Sequence, residues 1–89
     1  MLLNKKTTLI TGGSRGIGKA IASAFAKEGA GILLVSIDAK ELGLAQNDLA
    51  ADGAKVETIP CDVSDERCAA RAAKLAEDIF GGVDILVNA

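Results

Sequence analysis

The sequence predicts an α/β fold: a three-layer αβα domain with about four parallel strands and three helices. Three observations predict it. Short apolar or β-branched runs alternate with amphipathic stretches in the order β-α-β-α-β-α-β, and such alternation implies right-handed crossovers and a parallel sheet. Ile32-Leu33-Leu34-Val35 is apolar at every position, as expected of a strand covered on both faces. Ten glycines against one proline mark tight turns between regular elements.

The elements follow in chain order. Thr7-Thr8-Leu9-Ile10-Thr11 is short and β-branched, which suits a buried strand. Ile17, Ala20, Ile21, Ala24 and Phe25 recur at helical spacing and predict an inward stripe, with Lys19, Ser23 and Lys27 off it. Gly29 and Gly31 end that helix, and the apolar run 32–35 is the second strand. Asp38 and Glu41 form a capping box for a second helix, which turns Leu42, Ala45 and Leu49 inward and stops at Gly53. A third strand runs from Lys55 to Cys61, with Pro60 tolerated near its end if the strand lies at a sheet edge. Ser64 is placed to cap a third helix, whose inner stripe is Cys68, Ala72, Leu75, Ala76, Ile79 and Phe80. Gly81-Gly82 ends it, and Val83 to Val87 is the fourth strand.

Composition excludes several function classes. Ten Lys plus Arg against twelve Asp plus Glu give a net charge of −2, which argues against a nucleic-acid partner, because that needs a basic face. No apolar run approaches the ~20 residues of a membrane helix, so no membrane partner is expected. The opening Met1 to Lys6 places apolar residues before basic ones, the reverse of a secretory signal. With no His, Tyr or Trp, the chain has no means of building a His-based triad, a His-ligated metal site or a tyrosine general acid. Cys61 and Cys68 do not have metal-ligand spacing; they are expected to be two small, reduced, buried thiols of a cytoplasmic protein, with a redox pair as the alternative.

The segment Thr11-Gly12-Gly13-Ser14-Arg15-Gly16-Ile17-Gly18-Lys19 lies between the first strand and the first helix. A helix start there presents unpaired N–H groups and the positive end of the dipole, and glycines let a phosphate approach the backbone. Gly-x-Gly-x-x-Gly fails, because Ser14 and Ile17 stand where glycine is needed from Gly12. The nucleoside-triphosphate loop nearly fits with Gly13, Gly18 and Lys19 but breaks at Ala20, which has no hydroxyl for magnesium. Thr-Gly-x-x-x-Gly-x-Gly fits at every position, with Thr11, Gly12, Gly16 and Gly18.

Together with Cys61-Asp62-Val63 and Val83-Asp84-Ile85-Leu86-Val87-Asn88-Ala89, this segment resembles the N-terminal, cofactor-binding half of the short-chain dehydrogenase/reductase family. The glycine segment is similar to that of β-ketoacyl-carrier-protein reductases and related sugar or alcohol dehydrogenases. The resemblance implies a Rossmann-like domain over residues 1–89, with its strands in the order 3-2-1-4, partial and without the C-terminal catalytic half. A single Asn88 precedes Ala89 where the family usually has two asparagines, so its role matches either one. The resemblance implies that Gly12, Gly16 and Gly18 form the turn, admit a pyrophosphate and let the helix pack closely. Ile17 would lend its backbone N–H, its side chain lying in the core. Ser14 offers a hydroxyl to phosphate or ribose, or is a solvated loop residue. Thr11 ties the turn to a neighbouring strand, or is a plain strand residue. Asp62 would accept from the adenine amino group with the Val63 backbone nearby, and Asn88 would lie by the nicotinamide ribose.

Cofactor choice turns on the end of the second strand, where an NAD site places a carboxylate for the ribose 2′-OH. Ser36 stands there, and Arg15 supplies a guanidinium suited to a 2′-phosphate. NADP(H) is therefore expected, with NAD still open if Asp38 meets the ribose instead of capping a helix. The resemblance implies hydride transfer between that cofactor and a small carbonyl or alcohol, in a parent protein that forms a homo-oligomer. No catalytic residue is assigned: the family's Ser, Tyr and Lys lie downstream, and this chain has no Tyr. A chain ending at the fourth strand is expected to expose an apolar edge. A non-catalytic nucleotide-binding or regulatory fragment is the alternative.

Overall fold

In a computed structural model of the chain, residues 3–12, 16–51 and 53–88 are described. The elements are β1 (Thr7–Thr11), α1 (Gly16–Lys27), β2 (Gly31–Ser36), α2 (Ala39–Ala51), β3 (Val56–Pro60), α3 (Glu66–Phe80) and β4 (Ile85–Asn88). The four strands are parallel and ordered β3-β2-β1-β4. The fold is thus the α/β, Rossmann-like architecture that the alternation predicts. Among the described residues, no helix is long and apolar enough to cross a membrane.

Strand alternation sorts the core into two layers. Ile10, Ile32, Leu34 and Val56 face one way and pack with Ala22 of α1 and Leu42, Ala45 and Leu49 of α2. Leu9, Leu33, Val35 and Ile59 face the other way and pack with Cys68, Ala72 and Ala76 of α3. β2 lies between β1 and β3 with helices on both faces, which is why all of Ile32 to Val35 is buried. Pro60 closes β3, which is an edge strand, so its missing N–H breaks no central ladder.

Four expectations are corrected. The inner face of α1 is not the stripe through Ile17, Ala20 and Ala24: Ile17 is 76% exposed, and the helix buries Gly18 and Ala22, with Ile21, Phe25 and Ala26 half-buried beside them. Small residues let the axis come close to the sheet, and glycine carries no weight in an apolar count. The cap of α3 is Asp65 rather than Ser64; the Asp65 carboxylate accepts from the Arg67 N–H. β3 spans Val56–Pro60, shorter than the run from Lys55 to Cys61. β4 begins at Ile85, because the Asp84 carboxylate accepts the Thr7 N–H at 2.8 Å and the Asp84 N–H donates to the Thr7 carbonyl at 2.9 Å.

Gly31 opens β2 for a steric reason. A Cβ there would lie 2.6 Å from Cε1 of Phe80, whose ring also carries the Lys55 ammonium 4.9 Å from its centroid. Thr8, in the strand core, conflicts with its surroundings. It is fully buried, and its hydroxyl has no hydrogen-bond partner among the described residues. An unsatisfied buried hydroxyl costs roughly 1–3 kcal/mol. Thr8→Val keeps the shape and removes the orphan oxygen, so it should stabilise the fold by about 1 kcal/mol. Urea denaturation checks this; a lower midpoint than wild type would show that the hydroxyl contributes favourably.

Candidate functional site

Parallel strands place all their C-terminal ends on one edge. In this order the chain moves outward from β1 to β2 and β3, then returns to β4 on the other side of β1. The strand order therefore reverses between β1 and β4, and it is outside the strand ends at such a reversal that α/β sheets bind ligands. The register sets the candidate residues in a row: Thr11 opposite Asn88 on one side and Val35 on the other, and Ser36 opposite Pro60.

At the centre, the Gly12 N–H donates to the Val35 carbonyl at 2.8 Å, and Gly12 adopts φ 70°. That left-handed conformation turns the chain out of the sheet, and a side chain would oppose it. Gly16 opens α1 at φ 60°, and among the described residues beyond its own helix turn no atom lies within 4 Å of where a Cβ would be. The first amides of α1 have no intrahelical acceptor. Its first turn holds no acidic residue, so the positive end of the dipole meets no carboxylate of its own turn. Gly18 is buried, while the Ile17 side chain projects from this first turn instead of entering the core. Ser14 and Arg15 lie outside the described residues.

Thr11 ties β1 to β4. Its hydroxyl donates to Asn88 Oδ1 at 2.9 Å and lies 3.4 Å from the Val87 carbonyl. Beside them a cavity of about 490 Å³ opens on the α3 side of the sheet, lined by Thr11, Asn88, Val35, Val63, Leu86 and Ala72. A larger cavity of about 740 Å³ lies at the opposite edge, among Lys5, Lys6, Lys27 and Lys55 at the strand starts. It is remote from the glycine turn and from every residue in the row.

On the other flank, Ser36 ends β2, and its Oγ accepts the Asp38 N–H at 3.3 Å. Asp38 takes the capping role: its Oδ1 accepts the Glu41 N–H at 3.0 Å, the third amide of α2. Asp62 follows β3. Its Oδ1 accepts from the Ser64 N–H at 2.9 Å and the Ser64 hydroxyl at 2.7 Å. The backbone bond and then the hydroxyl bond hold the Asp62 carboxyl below its usual range, against weaker opposition from desolvation and Asp65. A depressed carboxyl of this kind stabilises its turn above the ordinary carboxylate range and loses that contribution only as pH falls through the lowered value. Val63, next in the chain, is exposed.

Two features of the site depart from the leading sequence reading. Ser64 serves as the partner that fixes Asp62, a role that the Asp-x-Ser spacing of an Asx turn signals. Cys61 and Cys68 are not reduced thiols but a disulfide, with Cα atoms 5.6 Å apart. A strand end and the first turn of the next helix, joined by a short loop, brought them together.

Comparison with known proteins agrees with this geometry. The family described as short chain dehydrogenase matches residues 6–89. Galactitol 2-dehydrogenase of Agrobacterium fabrum is 42% identical over 88 residues, covering 99% of this chain and 33% of that protein. An uncharacterized oxidoreductase of Thermotoga maritima is 36% identical over 88 residues, covering 98% of this chain and 34% of the relative. A short-chain dehydrogenase/reductase from Serratia marcescens superposes with a TM-score of 0.93 at 34% identity, covering 100% of this chain and 37% of that one. A metagenomic short-chain oxidoreductase solved in complex with NADP superposes with a TM-score of 0.89 at 31% identity, covering 97% of this chain and 39% of that one. The chain spans about a third of the length of these curated relatives. With the family matched from β1 through β4 and the strand-end glycine turn in place, the chain belongs to the short-chain dehydrogenase family, whose members are oxidoreductases that bind nicotinamide cofactors.

Proposed function

We propose that this chain is the NADP(H)-binding portion of a short-chain dehydrogenase whose reaction moves a hydride between the nicotinamide and a small carbonyl or alcohol. The observation that carries the proposal is the row of strand-end residues from Asn88 through Thr11 and Gly12 to Ser36 and Asp62, beside the β1/β4 reversal. The residues present fit such a cofactor. The left-handed turn at Gly12 and the absence of a side chain at Gly16 favour close approach of a phosphate, and the α1 amides suit a pyrophosphate. Asp62 has one carboxylate oxygen engaged by Ser64; in this reading the other accepts from the adenine amino group, with Val63 beside it. Asn88, bonded to the Thr11 hydroxyl, would lie by the nicotinamide ribose.

The preference for NADP(H) rests on Ser36 and Arg15. β2 ends in a hydroxyl, and the nearest carboxylate along the chain, Asp38, is turned to the α2 cap. A 2′-phosphate would meet no carboxylate from that strand end, and Arg15 would pair with it. When bound, the cofactor supplies the hydride. The chain's own residues bind and orient it. With no tyrosine in the 89 residues, the proton donor of the parent enzyme, a homo-oligomer in this reading, would come from outside this chain, as would the substrate pocket.

Arg15→Ala tests the cofactor assignment. A guanidinium–phosphate pair contributes about 1.5–3 kcal/mol, so NADPH affinity by calorimetry should fall roughly 10- to 100-fold. NADH affinity should hold within about twofold. An equal effect on both cofactors would overturn the NADP(H) preference.

A further inference from the structure

We propose that Cys61 and Cys68 are a reversible thiol–disulfide site, exchanging with small thiols, whose oxidised form clamps the loop that carries Asp62 and sets affinity for the adenine end of the cofactor. The adenine part of this inference rests on the role proposed above for Asp62.

The disulfide closes residues 61–68 into a ring between two fixed bodies. On the sheet side, the Cys61 N–H donates to the Ser36 carbonyl at 2.9 Å. On the helix side, Cys68 is the third residue of α3 and only 3% exposed, packed with Leu9, Leu33, Val35 and Ile59. Between them, Asp62 accepts twice from Ser64, the Asp65 N–H donates to the Asp62 carbonyl at 3.0 Å, and the Cys68 N–H donates to the Asp65 carbonyl at 2.9 Å. The two bonds from Ser64 to Asp62 are solvent-exposed, and exposed hydrogen bonds open easily. When they do, the covalent bond still ties the first turn of α3 to the residue that follows β3.

The surroundings suit exchange. A cavity of about 230 Å³ opens beside the pair, lined by Cys61, Asp62, Asp65, Arg67, Cys68 and Arg71. Cys61 is the more exposed of the two residues. Attack by an external thiolate on Cys61 Sγ forms a mixed disulfide and expels Cys68 as a thiolate. That leaving group sits in the first turn of α3, where the helix N-terminus stabilises it. A second external thiolate then attacks the external sulfur of the mixed disulfide and releases Cys61. The two protein thiolates take up the protons of the two thiols consumed. The protein disulfide is reduced by two electrons, and two thiols are oxidised to one small disulfide.

The experiment equilibrates the chain with reduced and oxidised dithiothreitol at defined ratios. Samples are trapped with N-ethylmaleimide and weighed intact, while amide exchange and NADPH affinity are measured in each state. Either two labels or none are expected per molecule. Exchange at Val63, Ser64 and Asp65 should quicken on reduction while β1 and β2 stay unchanged. NADPH affinity should fall about fivefold. Cys68→Ser should bind like the reduced form and ignore the redox ratio. Single labelling, or equal exchange at Val63–Asp65 in both states, overturns the clamp. Equal NADPH affinity in both states overturns its coupling to the cofactor. An exchange difference with no NADPH binding in either state upholds the clamp and removes the adenine role of Asp62.

Discussion

Leu34→Ala is expected to destabilise the chain by about 3 kcal/mol, within the range for emptying a fully buried leucine site. Leu34 is 0% exposed on β2, flanked by β1 and β3, and packs with Ile10 and Ile32 and with the α2 leucines. Neighbours on a central strand are held by two ladders and have little freedom to collapse into the space. A domain of 89 residues has a total stability of roughly 4–13 kcal/mol, so this one change removes a large share. The urea midpoint should drop by about 2 M if the slope stays near 1.5 kcal/mol per molar. Leu86→Ala is the matched control: Leu86 is 61% exposed on β4 and should shift stability by no more than about 0.5 kcal/mol. A midpoint for Leu34→Ala within about 0.5 M of wild type would mean that β2 is not the centre of the core.

The same strand shows how far a sequence can be followed. Four consecutive apolar residues at 32–35 require both faces to be covered, and helices on both sides follow from that. Leu42, Ala45 and Leu49 face inward as their spacing predicts. The α1 stripe misleads because its closest approach is made by Gly18 and Ala22, residues with little or no side chain to register as apolar. The α3 cap shifts by one because Ser64 is already engaged by Asp62 and Asp65 is the next acceptor in line. At the site, the glycine spacing marks the strand-end turn. The position of Asn88 opposite Thr11, by contrast, depends on β4 pairing with β1 across 77 residues, which no local pattern encodes. The disulfide, which the sequence offers only as the alternative to reduced thiols, depends likewise on the fold: across its separation of 7 residues a strand ends and a helix begins, and that change of direction brings the two sulfurs together.

Gly12→Val should remove cofactor binding and weaken the fold together, because one backbone conformation serves both. Gly12 holds φ 70° while its N–H is bonded to the Val35 carbonyl at 2.8 Å. A β-branched residue resists the left-handed region by at least about 1–2 kcal/mol. The turn then has two options. It keeps its shape and carries that strain, lowering the melting temperature by roughly 4–8 °C for each kcal/mol in a domain of this size. Or it relaxes, gives up the bond to Val35 and redirects the chain between β1 and α1. In either case two methyl groups stand at the mouth where the pyrophosphate would approach the α1 amides. NADPH affinity should fall at least about tenfold, a change of 1.4 kcal/mol or more. Gly43→Ala separates this effect from glycine loss in general. Gly43 is inside α2 with nothing within 4 Å of a Cβ position, so alanine there should stabilise by about 0.5–1 kcal/mol and leave NADPH affinity unchanged. Wild-type NADPH affinity in Gly12→Val would place the cofactor somewhere other than this turn.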